Sequence, residues 1–93
     1  MNHSLVVDFS EINEIEDFYK KLQDAHLLPE HFGSNLDALN DVITGDIALP
    51  FYLSFINMSV EQLVEFKALI ELLKEINQDM KAFSFAYFLK FPL

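Results

Sequence analysis

The chain has no cysteine and no arginine, and only two glycines and three prolines. Each shortage removes a class of function. Without cysteine there is no disulfide, no thiolate metal site and no cysteine nucleophile, a composition compatible with a reducing compartment. Without arginine, and with six lysines against fifteen acidic residues for a formal charge of −9, phosphate backbones and anionic membrane surfaces are poor partners. Neither nucleic acid nor membrane is expected, and basic proteins are the better match. No apolar run approaches the roughly 18 residues of a membrane span. The opening residues, Met-Asn-His-Ser-Leu-Val-Val-Asp, lack a cationic segment followed by a sustained apolar one, so a cytoplasmic location is expected.

What is present is apolar weight. The composition is 52% hydrophobic with ten Phe in 93 residues, which suits one small domain over residues 1–93. At that size folding buries only about 60–70% of the unfolded surface, and large aromatic side chains compensate. Leu5 to Phe9, Leu49 to Ile56 and Ala82 to Leu89 are β-branched or aromatic runs that predict three strands. Pro50 is tolerable only at a strand start, where no ladder donor is needed. Strand two reads as buried on both sides, and Phe51, Phe55, Phe83 and Phe85 read as core.

Between the strands the period changes to that of a helix. Ser10 opens one in which Ile12, Ile15, Phe18, Tyr19 and Leu22 recur, with acids early and Lys20 and Lys21 late, and Pro29 forbids continuation. Ser59 and Gln62 predict a capping box for a strongly apolar helix to about Asn77. The order β-α-α-β-α-β, with apolar strands joined through helices, predicts an α/β fold: a small parallel sheet covered on its faces by helices.

The most informative stretch runs from Gly33 to Gly45. Ser34 can cap a short helix and Gly45 can supply a left-handed stop. Leu36, Leu39 and Ile43 share one stripe, widened by Ala38 and Val42, while Asp37, Asn40, Asp41 and Thr44 lie opposite. Asp37 and Asp41 are then neighbours at i and i+4, a like-charge pair that costs an isolated helix roughly 0.2–0.5 kcal/mol. His31, Asp37 and Asp41 do not make a convincing catalytic trio. The chain offers no glycine-rich cradle, no arginine, no HExxH and no nucleophile elbow to stabilise a developing charge. Their spacing matches no calcium loop or zinc site either, so no metal, no cofactor and no enzymatic activity are expected.

The run Leu28-Pro29-Glu30-His31-Phe32-Gly33-Ser34-Asn35-Leu36-Asp37-Ala38-Leu39-Asn40-Asp41, closed by Thr44-Gly45, resembles the core motif of the barstar family, intracellular inhibitors of secreted ribonucleases. The resemblance implies a barstar-like fold, a three-stranded parallel sheet with three or four helices, because family members often split the segment between the last two strands into two helices, and a break near Ala68 would not show in the apolar pattern. It implies a partner too: a basic protein, a secreted microbial ribonuclease whose phosphate-holding cleft an acidic helix fills. By the same resemblance Asp37 and Asp41 match the interface aspartates and Thr44 the interface threonine. His31 stands where an aromatic contact is usual, and Gly33 and Asn35 match the turn presenting the helix.

The departures from that pattern fall in one patch. Asn40 and Asp46 occupy tryptophan positions, and His31 replaces a tyrosine. Because hot spots favour Trp, Tyr and Arg, a different or less tightly bound ribonuclease is expected. The family also places an interface Glu on its later helix, for which Glu71 and Glu75 are both candidates. Tyr87, Phe88, Phe91 and Pro92-Leu93 either cover the sheet or contact another chain. An acidic interaction or orphan immunity module, bound to a basic protein other than a ribonuclease, is the alternative function.

Overall fold

The computed structural model describes residues 3–91. Within them β1 (Ser4–Asp8), β2 (Phe51–Met58) and β3 (Phe83–Leu89) form a parallel sheet in the order β1-β2-β3, and four α-helices, α1 (Ile15–Asp24), α2 (Leu36–Asp41), α3 (Val60–Glu65) and α4 (Lys67–Asp79), fill the connections. Leu5, Leu53 and Phe85 lie in one row across the sheet, and Val7, Phe55 and Tyr87 in the next. The α/β architecture and the parallel three-stranded sheet are those the apolar runs and their helical connections predict.

The sheet is covered on one face only, contrary to the expectation of burial on both sides. Phe51, Leu53 and Phe55 of β2 are buried, whereas Tyr52 between them is 53% exposed and Val6 of β1 is 58% exposed. Strand order supplies the reason. Both crossovers step in the same direction across the sheet, and right-handed crossovers stepping the same way lay their helices on the same face. The buried side chains form one contiguous cluster, in which inward strand residues meet Phe18 and Leu22 of α1, Leu39 of α2 and Leu69, Leu73 and Ile76 of α4. Phe55 lies at its centre, with ring centroids 4.4 Å from Phe9, 5.4 Å from Phe18 and 4.9 Å from Phe85. Phe85 is half-buried rather than fully packed.

Helix starts are set by carboxylates more than by the expected serine. Ser10 does not open α1; Asp8 accepts from the Ser10 amide at 2.9 Å and caps a single 3₁₀ turn, Phe9–Glu11. The chain then runs extended through buried Ile12, and α1 begins at Ile15 behind a reciprocal cap between Glu14 and Asp17. Asp17 accepts from the Asn13 and Glu14 amides at 2.9 and 3.0 Å. The helix also stops before Pro29 can act. His26 takes φ 59°, its amide donates to Gln23 O at 2.9 Å, and the Leu27 amide donates to Leu22 O at 3.0 Å. That is the Schellman pattern with histidine in the glycine position.

The apolar segment after Ser59 is two helices rather than the single one its periodicity predicts. The Ser59–Gln62 capping box is present, and Gln62 Nε2 also donates to Phe9 O and Ile12 O at 2.8 and 2.9 Å. Those bonds tie α3 to the 3₁₀ turn. Phe66, buried edge-on against Phe9 at 5.5 Å, ends α3 and starts α4 with a non-helical φ, ψ of −103°, 25°.

Candidate functional site

The segment from His31 to Asp46 is built as a cap, a short helix and a widened last turn. Ser34 is not the cap: it takes φ 54°, and Asn35 Oδ1 instead accepts from the Ala38 amide at 2.7 Å. A serine in the left-handed region frees the next residue, extended at φ −143°, to turn its amide oxygen onto the helix. Asp37 then falls in the first turn, where the helix dipole favours negative charge. At the other end Gly45 makes no left-handed stop, because no glycine has positive φ among the described residues. The helix closes through a π turn, Val42–Asp46, in which the Ile47 amide donates to Val42 O at 2.9 Å.

Leu39, Val42 and Ile43 are buried and Leu36 is half-buried against the core, while Asp37, Asp41 and Thr44 are exposed. The apolar stripe thus fixes the helix and turns the carboxylates outward. Asn40 is half-buried, and its carbonyl accepts from Thr44 Oγ1 at 2.7 Å. This internal bond takes up the hydroxyl's one donor and leaves its oxygen lone pairs open.

Beside the helix lies an open hollow of about 140 Å³, with exposed His31, Asp41 and Asp46 around apolar Pro29, Phe32, Ala38 and Val42, and with Gly33. Of the residues singled out from the sequence, His31, Gly33 and Asp41 meet at this hollow, whereas Asp37, Asn40 and Thr44 do not line it. The loop at Gly33 lies against the helix, where a Cβ would meet Ala38 Cβ at 3.4 Å, about an ordinary contact. Asp46, which the resemblance marks only as a departure at a tryptophan position, also lines the hollow. A turn closed by an i→i+5 bond brings residue 46 back beside 41 and 42, a position that 3.6-residue periodicity does not assign. Glu71 and Glu75 line a separate depression on α4 with Lys74 and Gln78, and neither reaches the Asp41 hollow.

An apolar floor with carboxylates at its rim suits the carbon stem and charged tip of a basic side chain. Among the described residues no group of three or more His, Cys, Asp or Glu is placed to hold a metal ion, and no helix is long and apolar enough to cross a membrane. The family model described as barstar (barnase inhibitor) matches residues 2–90, nearly the whole chain.

Proposed function

The chain belongs to the barstar family, and on that premise we propose that it inhibits a ribonuclease of the barnase kind by presenting residues 31–46 to the enzyme's basic active-site cleft. A ribonuclease must hold phosphate, so its cleft carries cations. Carboxylates on a fixed helix take the place of the phosphate and block substrate by charge and by volume. The observation that carries this reading is Asp41, exposed at the rim of the hollow while Leu39, two residues away on the same helix, is completely buried.

Asp41 is the main anion in this proposal, with Asp46 beside it and Asp37 toward the start of the helix. His31 offers a flat ring against the incoming side chain, and Asn40 and Thr44 contribute polar contacts at the margin. Such an inhibitor protects the cell that makes the enzyme, which places it in the cytoplasm and gives it the role of an immunity protein.

The test is to titrate the purified chain into a panel of microbial ribonucleases at low ionic strength and to follow RNA cleavage. Stoichiometric inhibition of at least one enzyme is expected, with an association rate that falls steeply between low and physiological salt while dissociation changes little. An association rate indifferent to salt would remove the phosphate-mimic argument. Binding to a basic protein without inhibition of any ribonuclease would favour the interaction-module alternative.

A further inference from the structure

We propose that the exposed edge of β3 pairs antiparallel with the same edge of a second copy, giving a symmetric, weak dimer centred on Phe88. The direction of the backbone groups is the first ground. Ala82 O accepts from the Phe51 amide at 2.9 Å and the Lys90 amide donates to Met58 O at 2.8 Å, so along the alternating strand residues 84, 86 and 88 also face β2, and 83, 85, 87 and 89 face outward. Two of the outward amides are occupied: Phe83 donates to Met80 O at 3.0 Å and Phe85 to Asn77 Oδ1 at 3.1 Å. The ladder therefore opens at Tyr87 and continues through Leu89.

The apolar surface coincides with that opening. Phe88 is 57% exposed, Leu89 42% and Phe91 83%. Val60, also exposed, shares a hollow with Ser59, Glu61 and Lys90 at the same end of the strand. An open strand edge carrying apolar side chains is a template for another strand.

Charge selects a second copy as the occupant. All fifteen acidic residues precede position 80, and from Met80 onward the only charged side chains are Lys81 and Lys90. Two chains of formal charge −9 repel over most approaches, but neither β3 strand carries a carboxylate of its own, and Glu61, in the hollow at the strand's end, shares it with Lys90. Pairing one edge with itself about a two-fold axis also satisfies both open ladders together and leaves neither available for further growth. With the axis at Phe88, Tyr87 lies opposite Leu89 of the other copy and the two Phe88 rings adjoin on one face of the combined sheet. The two Lys90 are then about 13 Å apart along the strands, beyond the Debye length of about 8 Å at physiological salt. A single strand offers less than the ~800 Å² per partner of a standard interface, so the dimer is weak and concentration-dependent. No residue of this strip lines the hollow beside Asp41, so the proposal stands apart from the inhibitor reading.

Sedimentation equilibrium between about 10 µM and 1 mM tests it: the mass should rise reversibly from 10.8 kDa toward twice that value. Over the same range the Tyr87 and Leu89 amides should gain protection from hydrogen exchange, while the Ala86 and Phe88 amides, already directed at β2, should not change. Phe88→Lys should raise the dissociation constant at least tenfold. Leu89→Pro should do the same while keeping the circular dichroism of the parent, because the amide it removes faces away from the sheet. A chain that stays monomeric throughout overturns the proposal, as does a dimer that survives both substitutions. A dimer lost with Phe88→Lys but retained with Leu89→Pro overturns edge pairing in favour of packing between apolar faces. The exchange experiment decides on the parent chain even if Leu89→Pro fails to fold.

Discussion

Two surfaces of this small domain expose opposite chemistries: the loop and helix from residue 31 to 46 show carboxylates, and the end of β3 shows aromatic and aliphatic side chains on a strand that carries no acid of its own. The first costs the fold little. Its polar residues remain in water while Leu39, Val42 and Ile43 hold the helix from beneath. The second leaves Phe88 and Phe91 in solvent, so their contribution to burial is forgone in the isolated chain. On the proposed readings, negative charge suits the first surface to a foreign basic protein, and the absence of repelling carboxylates on the strand suits the second to a like chain. A net charge spread evenly over the domain could not make that distinction.

The sharpest way to break the contrast lies within α2. Asp41→Ala should weaken binding to an identified ribonuclease by roughly 2–5 kcal/mol or more, because truncation leaves the partner's cations buried without an anion. Asp37→Ala should lose less, and Asn40→Ala least, since asparagine carries no charge. The same Asp41→Ala change should alter folding stability by less than about 0.5 kcal/mol. Leu39→Ala reverses the pattern, destabilising the fold by about 2–5 kcal/mol through the cavity it leaves. Urea denaturation and inhibition assays on both variants check the pair. Equal small losses of binding at Asp37, Asn40 and Asp41 would show that another surface carries the inhibition.

The division of that helix into a buried stripe and an acidic face was legible because it depends on period alone. The cap expected at Ser34 falls to Asn35, because the left-handed backbone at Ser34 turns the next side chain onto the helix start. The π turn that carries Asp46 to the hollow breaks the period by which helix faces are assigned. Exposure of Tyr52 follows from strand order and crossover hand, which no single segment encodes. The break at Phe66 sits inside an unbroken apolar pattern and is held by Gln62 reaching back to Phe9 and Ile12 about fifty positions earlier. Local periodicity thus gave elements and faces, while long-range contacts set boundaries and coverage.

Asn77→Ala sharpens the other side of the comparison. It removes the carboxamide oxygen bonded to the Phe85 amide, a part-buried bond whose loss should cost about 1 kcal/mol. It also extends the open edge from Tyr87 back to Phe85. If the edge is the dimer contact, Asn77→Ala should tighten self-association while destabilising the monomer, and paired denaturation and sedimentation measurements separate these effects.

A smaller gain is expected at the end of α1, outside both surfaces. His26 holds φ 59° in the position that closes the helix, where a Cβ is disfavoured and glycine is not. His26→Gly should stabilise the fold by roughly 0.5–1 kcal/mol, the relief being offset in part by the freer unfolded chain. Thermal denaturation reads the difference, and unchanged inhibition would show that this end of α1 supports neither exposed surface directly.

The smallest effect concerns acid. Hydrogen bonds from the Ser10 hydroxyl, the Asn57 amide and the Ser10 backbone hold Asp8 below the ordinary carboxylate range, and backbone amides of Asn13 and Glu14 do the same for Asp17. In both cases the folded pKa lies below the unfolded one, so the folded state binds fewer protons between the two values. The stability these carboxylates contribute is therefore complete above the unfolded value, near pH 4, and is lost as the pH falls through the lower folded value. Both carboxylates are half-buried and keep contact with solvent, which keeps the contribution modest. Urea midpoints measured from pH 6 to about pH 2 should fall on the acid side, and Asp8→Asn with Asp17→Asn should flatten that fall. An undiminished slope in the double variant would assign the acid sensitivity to other carboxylates and leave these two as caps alone.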